Sequence, residues 1–401
     1  MTHASAAPQT IDSDTDTDTV NVGFMQQALS LARAAQYRTS PNPSVGCVLV
    51  LHGKVIGQGA TEQSSLNTGG AHAEVVAIRD ALAKGYATQG ATAYVTLEPC
   101  AHTGRTGPCA QALIVAGVSR LVAALIDPNP LTAGAGLRQL QAAGIQVDVG
   151  LCGAEAAAQN RGFLKRVTTG MPWLRLKVAT SLDGFVALPN GHSQWLTGAA
   201  ARADGHQARA SACAVVTGIG TLLADNPRLT VRDFDTPRQP QRIVLDTHLR
   251  TPVDAQVFEP QSLTQSPVTL IHASTDTARQ AALEAAGARL VRLPTKGDAI
   301  DLHAFMLWAG AQPFNTLHLE AGSALNGAFL SAGWADEVLL YQAPCLLGAG
   351  MSWAKLGGDL AQVDDAPRLR LQSADRLGDD VRLVLHTPTT WQATEFRHAN
   401  I

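Results

Sequence analysis

The chain has 401 residues, of which 46% are hydrophobic and 16% charged, a composition typical of a globular protein large enough for two domains. Its formal net charge of −3 argues against a protein built for non-specific nucleic-acid binding. The sequence has no run of about 18 apolar residues, so it predicts no membrane-spanning helix.

The first part of the chain alternates between helix-like and strand-like sequence. Residues 1–20 are polar, alternate Asp with Thr and lack a signal peptide, so we expect a disordered tail and a cytoplasmic, reducing location. From Val22 an amphipathic helix leads to a hairpin that turns at His52-Gly53. Further helices and strands continue the alternation and predict a three-layer α/β domain over residues 21–168.

The rest of the chain has the pattern of a second α/β domain. A helix and a short linker end at Pro172, and strand-like segments then alternate with helical or Gly/Pro-rich sequence. We therefore expect a second domain at residues 172–388 and a C-terminal tail at residues 389–401. The segments predicted as strands are WLRLKVA, CAVVTG, RIVLD, VTLIHA, ARLVRLP, NTLHLEAG, EVLLYQAP and VRLVLH.

Two of the six cysteines, Cys100 and Cys109, lie in the Gly- and Pro-rich segment LEPCAHTGRTGPC. A reducing compartment makes a disulfide between them the weaker interpretation and metal binding the stronger one. His72, at the predicted start of a helix, adds an imidazole to the two thiols, a donor set that suits Zn²⁺ with one position open to water. Glu74 is predicted to move protons and not to bind the metal. The remaining cysteines are expected to be buried or inert: Cys47, Cys152, Cys213 and Cys345.

The order HAE, strand, PC and a second PC matches the signature of zinc nucleobase deaminases, except that the cysteines are farther apart than usual. The segments SPNPSVGCVLV, AHAEVVAI, AYVTLEPCAHTGRTGPC and DPNP resemble the deaminase half of the bifunctional deaminase/reductases of riboflavin biosynthesis, in which the long spacing is usual. The resemblance implies a cytidine-deaminase-like domain with one zinc ion. It also implies deamination of 2,5-diamino-6-(5-phosphoribosylamino)pyrimidin-4(3H)-one to 5-amino-6-(5-phosphoribosylamino)uracil.

Three further residues are candidates for contacts with the deaminase substrate. Asn42 lies between two prolines, where its amide either reads the pyrimidine edge or only shapes a turn. His102 and Arg105 lie between the zinc cysteines and are candidates for contacts with the ring or the phosphate. The resemblance implies a cationic residue at the position of Arg105, often lysine, and the two side chains differ in donor geometry.

The second domain lacks a G-x-G-x-x-G motif after its first strand. Its glycine-rich candidate is EAGSALNGAFL, where a turn before a helix is suited to bind a phosphate through backbone amides. Together with KVATSLDG, SQWLTG, VVTGIGTLLADNPRLTVR and RIVLD, this segment is similar to the reductase half of the same family. The resemblance implies a dihydrofolate-reductase-like fold, NADPH as the cofactor, and reduction of the ribosyl group to give 5-amino-6-(5-phosphoribitylamino)uracil.

The resemblance also implies residues of the reductase site. The implied cofactor contacts are Ala179, Trp195, Thr221, Asp225, Thr247, Gly322, Ser323, Ala324, Leu325, Asn326, Gly327 and Ala328. The implied substrate contacts are Ser193, Arg209, Leu229, Arg232 and Glu320. Arg209 and Arg232 could instead be solvated charges on the surface, and Trp195 could instead be an aromatic residue of the core. Opening of the sugar requires a proton transfer. Asp183, Asp225 and Glu320 are the candidates for it, and the sequence does not decide among them.

Three other functions fit the sequence less well. A nucleic-acid-editing deaminase needs a basic groove and stacking aromatics, but only 5% of the residues are aromatic. A zinc-stabilised binding module needs a fourth protein ligand, for which His102 is the candidate. A chain with one degenerate domain conflicts with two intact sets of motifs.

We expect small phosphoribosylated pyrimidines as substrates, no nucleic-acid or membrane partner, and, from the resemblance, a homo-oligomer formed through the reductase domain.

Overall fold

The computed structural model describes residues 9–10, 16–63, 70–101, 107–129, 132–259, 267–358 and 361–390. The described residues form two compact units, one extending to Thr169 and the other beginning at Gly170. This division lies between the predicted domains at 21–168 and 172–388, whose limits stay predictions. Within the described residues, no helix is both long and apolar enough to cross a membrane.

The described part of the first unit contains six strands and six helices. The strands are β1 (Gln9–Thr10), β2 (Gly46–Leu51), β3 (Lys54–Ala60), β4 (Thr92–Val95), β5 (Arg120–Ala123) and β6 (Gln146–Val149). The helices are α1 (Asp16–Thr39), α2 (Ala73–Ala83), α3 (Cys109–Val115), α4 (Ala135–Ala142), α5 (Gly153–Gln159) and α6 (Arg161–Thr169). The strands form one sheet in the order β1-β6-β5-β4-β2-β3, in which β1, β6, β5 and β4 run parallel and β2 runs antiparallel to both neighbours.

The predicted hairpin is confirmed as β2 and β3. His52 and Gly53 form its turn with φ angles of 50° and 74°, the left-handed values that a tight hairpin turn requires. Glycines allow two helices to approach this hairpin closely. A Cβ atom at Gly46 would lie 1.9 Å from the carbonyl oxygen of Ala28 in α1, and one at Gly57 would lie 2.3 Å from that of Ala77 in α2. The hairpin is therefore packed too tightly for larger residues at these two positions.

The first helix begins earlier than predicted. We expected a disordered tail over residues 1–20 and a helix from Val22, but α1 begins at Asp16 and its residue Asn21 is buried. The Tyr94 hydroxyl of β4 donates a hydrogen bond to the side-chain oxygen of Asn21. Because this contact joins residues far apart in the chain, the local polarity of the segment gave no sign of it.

The described part of the second unit contains thirteen strands, five α-helices and two short 3₁₀ turns. The strands are β7 (Trp173–Thr180), β8 (Phe185–Ala187), β9 (Ala214–Gly218), β10 (Gln241–Leu245), β11 (Val268–His272), β12 (Ala288–Arg292), β13 (Thr295–Lys296), β14 (Ala299–Ile300), β15 (Thr316–Leu319), β16 (Glu337–Gln342), β17 (Met351–Ser352), β18 (Arg370–Leu377) and β19 (Asp380–His386). The helices are α7 (Ala199–Ser211), α8 (Ile219–Asp225), α9 (Thr277–Ala285), α10 (Leu302–Gly310) and α11 (Ser323–Ser331), and the 3₁₀ turns are Gln256–Phe258 and Val363–Asp365.

Nine of these strands form one sheet in the order β12-β11-β10-β9-β15-β7-β16-β19-β18. All neighbours from β12 to β16 run parallel, and β19 and β18 complete the sheet in antiparallel pairs. The inner strands β9, β10, β11 and β15 are almost wholly buried, which agrees with their continuous apolar sequences. All eight strands predicted for this half of the chain are confirmed, and both units are mixed α/β structures as expected.

Edge and short strands were missed by the sequence analysis. β18 has the sequence RLQSADRL, whose residues are exposed or half-buried because the strand lies at the sheet edge. The two-stranded pairs β8–β17 and β13–β14 are too short to produce a pattern. The predicted helix before Pro172 is in fact two helices, α5 and α6. The predicted tail at residues 389–401 begins with the exposed Thr389 and the buried Thr390, and residues 391–401 lie outside the described part.

Candidate active sites

The three predicted zinc donors meet in the first unit. His72 precedes the first residue of α2, Cys100 follows β4, and Cys109 is the first residue of α3. The Nδ1 atom of His72 lies 3.1 Å from Cys109 Sγ and 3.5 Å from Cys100 Sγ. All three donor atoms lie within 4.8 Å of one another. One imidazole and two thiols at this spacing fit three positions of a tetrahedral zinc ion, and within the described residues no fourth donor joins them.

Hydrogen bonds favour a thiolate at this cluster. Hydrogen bonding with the Cys109 thiol, the His72 ring and the backbone amide of Cys109 lowers the pKa of Cys100. The same hydrogen bond from Cys109 to Cys100, helped by burial, raises the pKa of Cys109. A thiolate is the form of cysteine that binds metals, so the lowered pKa of Cys100 favours metal binding.

Glu74 lies in the first turn of α2, two residues after His72, and is 3% exposed. Burial is the main cause that raises the pKa of Glu74 to about 7. A carboxyl group with a pKa near neutrality is suited both to accept and to return a proton. Glu74 is not among the metal donors of the cluster, and its role as a proton carrier stays a prediction.

Glu98 supports this site, and the sequence analysis missed it. Its buried carboxylate accepts backbone hydrogen bonds from Asp127, Gly134 and Gly136 at 3.0, 3.0 and 2.9 Å. These bonds attach the segment between β5 and α4 to the turn that carries Cys100. A glutamate directly before the PC motif was visible in the sequence, but its partners were not.

The structure places one of the three predicted deaminase substrate residues. Asn42 is half-buried in the turn after α1, where its backbone amide donates to Thr39. The buried Asn160 binds both backbone groups of Ser44 at 2.8 Å and so holds this turn in place. His102 and Arg105 lie outside the described residues. The roles of all three predicted residues stay predictions.

The residues predicted to bind the reductase cofactor gather at one edge of the nine-stranded sheet. Ala179 lies at the end of β7, Thr221 follows β9, Thr247 follows β10 and Gly322 follows β15. These strands are parallel, so their carboxyl ends lie at the same edge. Open α/β sheets bind their ligands outside this edge.

Gly322 to Ala328 form the start of α11. Gly322 is the N-cap and no side chain caps the helix, so backbone amides remain available for an anion. The side chain of Asn326 binds other parts of the backbone, because its amide nitrogen donates to the carbonyl groups of Ala321 and Trp353. Gly327 packs so closely that a Cβ atom there would lie 1.9 Å from the carbonyl oxygen of Lys355. These two residues therefore anchor the segment around Lys355 to the helix.

Trp195 and Ser193 lie before α7. Trp195 is 69% exposed, so the alternative of a core aromatic is wrong, and the guanidinium of Arg202 lies 5.0 Å from its ring centre. An exposed aromatic ring with a cation above it is suited to stack against a planar ligand. Ser193 is half-buried.

Two residues predicted to bind substrate bind each other. Arg209 in α7 forms a bidentate salt bridge with Glu320, with both N–O distances at 2.8 Å, and its Nη1 atom donates to the Thr230 carbonyl. Burial alone would raise the pKa of the Glu320 carboxyl, but Arg209, His318 and Lys177 hold it well below its usual range. Arg209 is therefore not a solvated surface charge, and Glu320 is ionised.

Leu229 and Arg232 belong to the segment that follows α8. Leu229 has a φ angle of 56°, and its side chain is buried in a hydrophobic cluster with Val215 and Leu222. A contact from Leu229 to substrate would therefore use its backbone. Arg232 is exposed, and its Nη1 atom lies 3.5 Å from the Thr230 hydroxyl.

The three carboxyl groups that are candidates for the proton transfer differ in their pKa shifts. Asp183 accepts hydrogen bonds from the Ser181 hydroxyl and from the amides of Leu347 and Gly348, and these bonds lower its pKa. Glu320 is held ionised by its neighbours. Burial raises the pKa of Asp225, at the end of α8, so Asp225 retains a proton more readily than the other two.

The chain matches two families of known domains. Residues 19–125 match the cytidine and deoxycytidylate deaminase zinc-binding region, and residues 172–383 match the RibD C-terminal domain. The chain is 42% identical over 368 residues to the riboflavin biosynthesis protein RibD of Escherichia coli K12, which covers 90% of this chain and 98% of the relative. It is 38% identical over 362 residues to RibD of Bacillus amyloliquefaciens, covering 90% and 94% of the two chains.

Solved structures agree with these similarities. Acinetobacter baumannii RibD superposes with a TM-score of 0.81 at 40% identity, covering 92% of this chain and 99% of the other. A diaminohydroxyphosphoribosylaminopyrimidine deaminase/5-amino-6-(5-phosphoribosylamino)uracil reductase from Thermotoga maritima gives a TM-score of 0.80 at 28% identity, covering 92% and 99% of the two chains.

Proposed function

The chain belongs to the RibD family of riboflavin biosynthesis proteins and is a bifunctional deaminase and reductase, and we propose that the residues described above carry its two reactions. Its first unit is the cytidine-deaminase-like domain and its second is the reductase domain, as the sequence predicted. The observation that carries the assignment of residues is the cluster of His72, Cys100 and Cys109 beside the buried Glu74.

His72, Cys100 and Cys109 hold the zinc ion of the deaminase domain, because they bring one nitrogen and two sulfur donors together, and the described residues add no fourth donor to them. A zinc ion bound there supplies Lewis acidity that activates a water molecule near neutral pH. Glu74 would accept a proton from this water and pass it to the pyrimidine ring nitrogen, and would then move the proton of the added hydroxyl group to the departing ammonia. The net reaction adds water at the carbon that bears the 2-amino group and releases ammonia.

The second unit binds NADPH and the deaminated product at the carboxyl edge of its sheet. NADPH supplies a hydride to the anomeric carbon of the opened ribose. The uncapped start of α11 binds a phosphate of the cofactor, and Trp195 offers a ring surface for a planar group. Arg232 provides charge for the substrate phosphate. Arg209 keeps Glu320 ionised, so that this carboxylate is able to accept hydrogen bonds from sugar hydroxyls.

Two further properties are proposed from the family alone. The protein acts in the cytoplasm, and it forms a homo-oligomer through the reductase unit. Light scattering coupled to size-exclusion chromatography measures the second property directly, and a monomer at micromolar concentration contradicts it.

A coupled assay with metal analysis tests the proposed function. The diaminopyrimidine ribotide is supplied with and without NADPH, while ammonia release and NADPH oxidation are followed separately. We expect ammonia release without NADPH, NADPH oxidation on the product, and about one zinc ion per chain. If the protein contains zinc but releases no ammonia, the result supports the metal site and contradicts the proposed substrate.

A further inference from the structure

The segment 226–233 of the reductase unit has an unusual backbone. Asn226, Leu229 and Asp233 have φ angles of 42°, 56° and 55°, in the left-handed region that favours glycine. Leucine rarely adopts this conformation. Such backbone persists only where surrounding groups hold it, and it is frequent at binding sites. This segment contains Arg232, to which we assigned the substrate phosphate.

Side chains from elsewhere in the unit hold the segment. Gln239 binds both backbone groups of Val231, at 2.8 Å from the amide nitrogen and 3.2 Å from the carbonyl oxygen. Arg209 donates to the Thr230 carbonyl. His206 completes the set, because its Nδ1 atom accepts a hydrogen bond from the backbone amide of Arg232 at 3.3 Å. His206 thus contacts the residue assigned to the phosphate.

The surroundings of His206 keep its ring in the form that this bond requires. Nδ1 accepts a hydrogen bond only when it carries no proton. Burial, followed by the charges of Arg209 and Arg232, lowers the pKa of His206 to about 4, and the opposing effects of Glu320 and Asp233 are smaller. The ring is therefore neutral at neutral pH, and its Nδ1 lone pair is available.

We propose that His206 is a positioning residue of the reductase reaction, which orients Arg232 for the substrate phosphate through the backbone amide of Arg232. The inference rests on the proposed function of Arg232. His206 acts on substrate binding and not on hydride transfer, and the geometry requires an acceptor at the position of Nδ1.

Conservative variants test this requirement. In His206→Asn the amide oxygen lies near the position of Nδ1, whereas in His206→Gln the amide group reaches the position of Nε2. We expect His206→Gln and His206→Ala to raise the KM for the phosphoribosylaminouracil about tenfold, the effect of losing one hydrogen bond, and His206→Asn to remain within about threefold of the wild type. The kcat and the KM for NADPH should be unchanged in all three variants.

The phosphate dependence provides a second measurement. With the dephosphorylated substrate, wild type and His206→Ala should have similar KM values, because the positioned arginine then has no phosphate to bind. Gln207→Ala is the matched control, since Gln207 is exposed on the same helix and should leave every constant unchanged. An unchanged KM for NADPH in each variant shows that the reductase unit is folded.

The kinetic constants of the variants distinguish a wrong positioning role from a wrong proposed function. If His206→Gln restores the KM and His206→Asn does not, His206 binds substrate directly through Nε2 and the positioning role is wrong. Wild-type KM values in all three variants also overturn it. If His206→Ala does not fold, the Asn and Gln variants still decide the question. A wild-type protein that does not oxidise NADPH on this substrate contradicts the proposed function instead.

Discussion

Glu74 combines burial with a position next to a metal-binding residue. Its pKa of about 7 results mainly from burial, and it is the carboxyl group that the sequence pattern H-x-E singles out. The side chain lies in the first turn of α2 while His72 is the N-cap, so one helix start supplies both a metal donor and the carboxyl group that we propose as the proton carrier.

The exchange Glu74→Gln separates these two roles. Glutamine has the same size but does not carry protons, so ammonia release should fall by about 10²–10⁴-fold. Zinc content should stay near that of the wild type, because Glu74 is not a donor. The reductase activity of the same chain is the internal control. Deamination within a factor of about ten of the wild type would contradict the role of Glu74.

The pair of Arg209 and Glu320 is the other decisive contact between residues. The side chains are 13% and 18% exposed, so removing the arginine leaves a largely buried carboxylate without its main partner. Arg209→Ala should destabilise the second unit by roughly 3–5 kcal/mol and raise the KM for the reductase substrate more than the KM for NADPH. Denaturant unfolding and steady-state kinetics measure the two effects.

Arg120→Ala provides a control for this variant. Arg120 pairs with Asp148 at 2.7 Å in the first unit, so its loss removes a comparable salt bridge without touching the reductase site. Both reductase KM values should be unchanged in this control. An Arg209→Ala protein with wild-type stability would show that the salt bridge contributes little.

At the scale of elements, a close contact between α4 and the turn after β4 supports the metal site. Glu98 accepts the amide of Gly136, and a Cβ atom at Gly136 would lie 1.8 Å from the carbonyl oxygen of Pro99. Pro99 directly precedes Cys100. The start of α4 therefore packs against the backbone that places a zinc donor.

Gly136→Ala should disturb this packing. The added methyl group overlaps a backbone oxygen that cannot rotate away, so the helix start or the turn must move. We expect a lower melting temperature and faster loss of zinc to a chelator than in the wild type. Gly23→Ala is the control: nothing lies within 4 Å of a Cβ atom in this helical position, and alanine there should stabilise by about 0.5–1 kcal/mol. Equal zinc retention in both variants would contradict the argument.

At the scale of the whole molecule, the two sites are built from separate sheets. The zinc donors and Glu74 lie in the first unit, whereas every proposed cofactor contact lies in the second. The hydrogen bonds that build each site join residues of the same unit.

Removal of zinc should therefore affect one activity alone. Dialysis against a strong chelator should abolish ammonia release, because the metal-activated water is lost, and leave NADPH oxidation on the aminouracil ribotide close to the untreated rate. Added Zn²⁺ should restore ammonia release. Parallel loss of both activities would show that the units depend on each other.

Local patterns determined much of this protein. The hairpin at His52-Gly53 follows from turn chemistry, and the inner strands β9, β10, β11 and β15 follow from apolar runs that only a buried strand accommodates. The zinc donors and Glu74 were predictable because their chemistry is written in short motifs, HAE and PC. The similarity of these motifs to a known family supplied the substrate and the cofactor.

Tertiary structure decided the features that depend on distant partners. Asn21 of α1 accepts a hydrogen bond from Tyr94, which lies 73 residues later in the chain, and the Arg209–Glu320 pair joins residues 111 positions apart. Neither partner lies within the reach of a helical or strand period, so no local pattern predicts the contact. The edge strand β18 was missed because half-exposed polar residues carry no burial signal. The sequence by itself thus determined the buried strands, the metal donors and the family, while the tertiary structure decided which charged and polar groups meet, because their partners are distant in the chain.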